Sequence, residues 1–241
     1  MDRLFSNFGN LGDFFNDVLI RIVPALICIT IHELAHGFTA YKLGDKTAKE
    51  MGRLTLNPIK HLDPAGFLMI VFLRFGWAKP VPVDMRNFKS PKRDMAITAL
   101  AGPVSNLLLA IVVLFIWGLV TTSLGIFKDP ETGQMFYTHE TGLMIYRILD
   151  FTVTLNIMLA VFNMLPIPPL DGSKVLFSLL PDNAYYKLMR YERYGMIAIL
   201  VMVGLQMLLG ISIIGALIGY PANFIYGGFN VVYDIAFSIV N

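Results

Sequence analysis

The sequence predicts an all-α polytopic membrane protein, and three observations lead to that expectation. Of the 241 residues, 56% are hydrophobic and only 15% are charged, against about 25% charged in an ordinary soluble domain. The mean hydropathy is +0.63. The apolar residues also fall into runs of about 20, the length needed to cross the hydrocarbon layer as a helix. Four such runs could not all be buried in the core of a soluble protein of this size. A net charge of +2 is too small to point to nucleic acid, and the lone Cys28 excludes an intrachain disulfide.

The spans follow in order. The first covers about 18–43, the second 96–124, the third 143–166 and the fourth 194–220. A further apolar stretch at 224–240 contains Asp234, so it is either a short span or an interfacial helix. The expected total is four to five transmembrane helices. Residues 66–75 (GFLMIVFLRF) are apolar but about half the crossing length, which suits a re-entrant or interfacial piece. On either side of it, 52–56 (GRLTL) and 79–83 (KPVPV) have strand character, with Pro80 and Pro82 confining the second to a sheet edge. A small membrane-associated β element is therefore expected between the first and second spans. No repeat or low-complexity tract divides the chain, so 1–241 is read as a single domain. Asp2, Asp13 and Asp17 against Arg3 alone give the N-terminus the wrong balance for a cleavable leader.

Basic residues set an orientation. The loop at 44–95 carries ten Lys or Arg, whereas 125–142 carries Lys128 alone against Asp129, Glu131 and Glu140. The first loop and the segment after Asp171 are expected on the cytoplasmic side, with the N-terminus outside.

The chemistry centres on His32-Glu33-Leu34-Ala35-His36, inside the first span. Residues four apart share a helix face, so both imidazoles can reach one metal ion, with Glu33 beside it to take a proton from water. In a soluble protein the pattern often arises by chance on a polar helix. Here ionisable residues at membrane depth cost roughly 2.5–3.5 kcal/mol each on insertion scales and normally mark a functional site. Lys42, the first charge beyond the motif, lies six residues or about 9 Å from His36 and about 15 Å from His32. The metal is thus submerged, and water must reach it through a protein-lined cavity.

Catalytic zinc usually has three protein ligands plus water. His61, His139, Cys28 and the acidic residues are the candidates for the third. His139 falls in a loop expected outside, and Cys28, one turn before His32, reads better as a small core residue. Asp171 stands out because it closes the run NMLPIPPLDG (163–172), where three prolines end the third span. Such a break at membrane depth is tolerated only beside protein or a wet cavity. A plain helix-terminating turn is the competing reading.

HELAH in a span, then NPIKHLDPAG (57–66), AGPVSN (101–106) and NMLPIPPLDG (163–172), resembles the site-2 protease family of intramembrane zinc metalloproteases. The resemblance spans roughly residues 20–180. It implies one zinc ion per chain held by His32, His36 and Asp171, with Glu33 as general base. It also implies that Asn163 and Asn106 position the substrate or stabilise the oxyanion. Substrates would be transmembrane or membrane-anchored proteins, and the location a prokaryotic cell membrane with the active site near its cytoplasmic face. Ser173 stands where the family often has a second glycine, and no PDZ or nucleotide-sensing domain accompanies the motifs, as in minimal family members. Two rivals remain: a membrane metal transporter, which needs polar groups along a continuous path, and an inactive relative that binds transmembrane helices, for which Glu33 would serve no purpose.

Overall fold

The computed structural model describes residues 11–73, 76–128, 135–190, 192–209 and 213–240. Helix α1 (Leu11–Leu43) is followed by a short turn of helix α2 (Thr47–Glu50) and by α3 (Pro64–Leu73). Helix α4 (Pro91–Val120) leads into strands β1 (Ile126–Lys128) and β2 (Met135–Tyr137). Then come α5 (Glu140–Asn163), α6 (Asp171–Ser178), α7 (Asp182–Met189), α8 (Glu192–Leu209) and α9 (Ile213–Val240). Among the described residues, four helical segments, Phe15–Leu43, Pro91–Val120, Glu140–Asn163 and Gly215–Val240, are long and apolar enough to cross a membrane. The chain is an integral, multi-pass membrane protein.

The second span is the hub. Helix α4 packs against α1, α5, α6 and α9. Its Ala110, Leu114 and Trp117 face a core built with Val153 and Ile157 of α5 and Ile218, Ala222 and Tyr233 of α9. On the opposite side Val104, Leu108, Val112 and Ile116 recur every four residues and are all exposed. Apolar residues on both of these sides suit a span that packs on protein along one side and meets lipid tails along the other. At Gly118 the α9 backbone comes so close that a Cβ would lie 2.5 Å from the Tyr233 carbonyl oxygen. Small residues at helix contacts permit this approach in membranes.

Hydropathy places the first three spans well but divides the last part of the chain wrongly. The expected fourth span at 194–220 is split between α8 and α9, and the stretch at 224–240 belongs to the long helix α9. An unbroken apolar run gives composition no mark at which to divide two helices. Residues 1–10, among them Asp2 and Arg3, lie outside the described part.

Between the first and second spans the expected strands do not pair. Residues 52–56 form a turn and bends, and 79–83 run without regular structure; an antiparallel bridge between Leu62 and Ala78 lies nearby. Pro80 and Pro82 have no N–H to give to a ladder. The two-stranded sheet that does form, β1 against β2, lies between the second and third spans. The apolar piece at 66–75 falls largely in the ten-residue helix α3, about 15 Å long and too short to cross. The chain then folds back on it, and a Cβ at Gly66 would lie 3.0 Å from the Trp77 backbone nitrogen.

One carboxylate ties this loop together. Asp45, fully buried after α1, accepts from Thr47 N (3.0 Å), Thr47 Oγ1 (2.5 Å), Asp84 N (2.8 Å) and Asn87 Nδ2 (2.8 Å). Burial works against its charge, but hydrogen bonds from Thr47, Asn87 and Asp84 outweigh it and hold the carboxyl below the ordinary carboxylate range.

Candidate metal centre

Helix α1 presents His32 and His36 on one face, with the Nε2 atoms 3.0 Å apart. The proline-rich turn after α5 delivers Asp171 at the start of α6, its Oδ2 lying 3.3 Å from His32 Nε2 and 3.1 Å from His36 Nε2. Tetrahedral zinc, bound at about 2.0–2.1 Å, spaces its ligand atoms about 3.3 Å apart. The three side chains therefore form a cradle of the right size.

Their hydrogen bonds fix what each atom presents. The Thr98 carbonyl can only accept, so His36 Nδ1 carries its proton toward it at 2.7 Å. His32 Nδ1 faces Asn106 Oδ1 at 2.5 Å. Asn106 is held in that orientation because its amide nitrogen donates to Asn156 Oδ1 at 2.6 Å and lies 3.4 Å from the Cys28 carbonyl. In the neutral imidazoles this leaves both Nε2 atoms as lone pairs, and they point at Asp171 Oδ2, a buried oxygen with no hydrogen-bond partner among the described residues. Three acceptors facing one another in a buried site are mutually repulsive and costly to desolvate. A cation among them removes both penalties, so the donor set fits a divalent metal, and two imidazoles with a carboxylate suit zinc.

Gly102 completes the cradle. A Cβ there would lie 2.6 Å from His32 Cε1, so only glycine lets α4 pass this close to the imidazoles. Beyond the three candidate ligands, Lys174 Nζ lies 3.9 Å from Asp171 Oδ1. The turn that carries Asp171 is itself backed by α8, where a Cβ at Gly195 would lie 3.0 Å from the Pro169 nitrogen.

A cavity of about 500 Å³ opens onto the three candidate ligands. Glu33 and Asn163 line it, as do Trp77, Val81 and Ile199. One carboxylate oxygen of Glu33 accepts from the Val81 N–H at 2.7 Å. Asn163 donates through Nδ2 to the Leu159 carbonyl at 3.0 Å. Asn106 is fully buried and engaged on His32 and Asn156, and it does not line the cavity.

The remaining sequence candidates fall elsewhere. Cys28 is fully buried and faces Asn156. His61 is buried in the first loop with Nε2 2.8 Å from the Thr55 carbonyl, and His139 is exposed before α5. Sequence reasoning passes over Asn156 and Gly102. A signal for Asn156 exists, since an amide in the middle of an apolar span requires a partner. Gly102 is visible only as one letter of a motif.

The family pattern described as "Peptidase family M50" matches residues 21–209, more than half of the chain. The chain belongs to Peptidase family M50, the site-2 protease family. It is 42% identical over 181 residues to the Bacillus subtilis protein named "Putative zinc metalloprotease YwhC", covering 75% of this chain and 78% of that one. A Mycolicibacterium smegmatis protein, "Putative zinc metalloprotease Rip2", is 29% identical over 188 residues, covering 76% of this chain and 66% of the relative. The Rip2 protein of Mycobacterium tuberculosis strain H37Rv is 26% identical over 190 residues, covering 77% of this chain and 67% of the relative. No solved structure matches the chain.

Proposed function

We propose that this M50 family member is an intramembrane zinc metalloendopeptidase that hydrolyses peptide bonds in or near transmembrane helices of other membrane proteins. The observation that carries the reading is the meeting of His32, His36 and Asp171 within 3.3 Å of one another on a cavity that Glu33 also lines. When bound, zinc supplies Lewis acidity toward water and the scissile carbonyl.

The chain's own groups do the rest. The Val81 N–H holds one oxygen of Glu33, which leaves the other to take a proton from the attacking water and pass it to the departing amine. Asn163 lines the cavity wall, and in this reading its amide donates to the carbonyl oxygen as charge develops there. Asn106 acts differently: it holds His32 rather than the substrate. The apolar walls exclude bulk water from the reacting bond, as in other closed sites. A transmembrane helix has to unwind locally before its backbone can enter, because its peptide groups are paired within the helix.

The Lys- and Arg-rich loop at 44–95 supports an active site near the cytoplasmic face of a prokaryotic membrane. The test is cleavage of a transmembrane peptide by detergent-purified protein, with zinc content measured in parallel. Glu33→Gln is expected to lower turnover by roughly 10²–10⁴-fold, the range for a general base, and to keep its zinc. Undiminished turnover in that variant removes Glu33 from its role, and zinc flux into vesicles would favour a transporter instead.

A further inference from the structure

An unbroken chain of donors and acceptors runs from the backbone of the third span to His32. It begins at the Thr152 carbonyl, which can only accept, so the amide nitrogen of Asn156 must face it, at 2.8 Å. That fixes Asn156 Oδ1 on the other side, where it accepts from Asn106 Nδ2 at 2.6 Å. Asn106 Oδ1 is thereby turned toward His32 Nδ1, 2.5 Å away. An amide oxygen can only accept, so in the neutral ring, the form that binds a metal, the His32 proton sits on Nδ1 and Nε2 is a lone pair. Reversing any amide along this path would put a donor opposite Nδ1. The proton would move to Nε2 and close that atom to a metal.

Both asparagines are fully buried. In lipid surroundings an uncommitted amide costs more than in water, which keeps each link of the chain closed. Asn156 Nδ2 also lies 2.9 Å from Cys28 Sγ, a weak acceptor that leaves the polarity unchanged.

We infer that Asn156 is a positioning residue for the metal, selecting through Asn106 the tautomer in which His32 can bind it. The inference rests on the reading of His32 as a zinc ligand. An alternative role, simple glue between the first and third spans, predicts a different pattern of effects.

The experiment uses the full chain in detergent. Zinc affinity is read by competition with a chromophoric chelator, site geometry by the visible spectrum of cobalt-substituted protein, and stability by melting of the metal-free form. Asn156→Leu removes the acceptor for Asn106. It is expected to weaken zinc by about five- to tenfold, just short of the 10–100-fold typical of a group bonded directly to a ligand, and to alter the cobalt spectrum. Asn156→Asp keeps an acceptor for Asn106 and, protonated, a donor for Thr152. It is expected to retain wild-type affinity and spectrum. Cys28→Ala loosens the same helix contact without touching the path to His32, and zinc affinity is expected to hold.

Wild-type affinity in Asn156→Leu overturns the inference, as does equal weakening in Cys28→Ala and Asn156→Leu. Should Asn156→Leu not fold, Asn156→Ser, whose hydroxyl is too short to reach Asn106, takes its place, and the same two results overturn the inference. Failure of the underlying reading looks different: wild type and His32→Ala would then bind zinc alike.

Discussion

His32 and Glu33 are neighbours in sequence, yet two different parts of the molecule hold them. His32 is gripped by side chains from long membrane helices, Asn106 of α4 and, through it, Asn156 of α5. Glu33 is held by a backbone N–H from an irregular loop, at Val81 between two prolines. The candidate metal cradle and the proposed base are thus held by separable parts of the molecule. The cradle is part of the helix packing, whereas the base depends on a segment that has no ladder of its own. Ligand geometry and proton transfer should therefore respond to different substitutions.

The largest effect belongs to the cradle. Asp171→Ala is expected to weaken zinc by more than roughly 100-fold, beyond the range seen for groups that merely support a ligand. Equilibrium dialysis against a zinc buffer checks this, and near-normal binding would remove Asp171 from the cradle. Gly102→Ala comes next. The added methyl forces the imidazoles aside, so zinc should weaken by about tenfold or more while melting of the metal-free form changes little. A large fall in metal-free melting would mean instead that the helix contact, not the ligand geometry, needs the glycine.

Val81→Pro addresses the hold on Glu33. Removing the N–H takes away a hydrogen bond to a charged group, commonly about 1.5–3 kcal/mol. Turnover is expected to fall by about tenfold or more while zinc affinity stays at wild type. A loss of zinc in this variant would show that loop and cradle are not separable after all.

The smallest effect concerns what anchors the loop. Asp45 has its pKa lowered in the folded protein, so its contribution to stability is present above the ordinary carboxylate pKa and lost as pH falls through the depressed value. Asp45→Asn should therefore melt a few degrees below wild type at pH 6, with the gap closing below about pH 4. A gap independent of pH would remove the charge from the explanation.

Much of this arrangement is legible in the letters themselves. HELAH in an apolar run puts the histidines on one face, and the prolines before Asp171 announce a turn that has to lie against protein. The first three spans need only a count of apolar residues. The supports are harder to read. That Asn106 presents its oxygen to His32 and does not line the cavity depends on packing and on which way one amide points, and the sequence does not record amide orientation. The anchoring of Glu33 by Val81 is a backbone contact across 48 positions, and backbone donors have no letter. Strand-like residues at 52–56 and 79–83 mislead because alternation and β-branching signal extended chain, not a partner.

The glycine at 195 has a mechanical corollary. With no side chain there, α8 rests on the Pro168–Pro169 backbone, two residues before Asp171, and the same helix contributes Ile199 to the cavity wall. One rod thus touches both the support of a candidate ligand and the boundary of the chamber. Thickening it at that point would have to prise the rod outward, widening the chamber, or drive the turn inward, shifting Asp171.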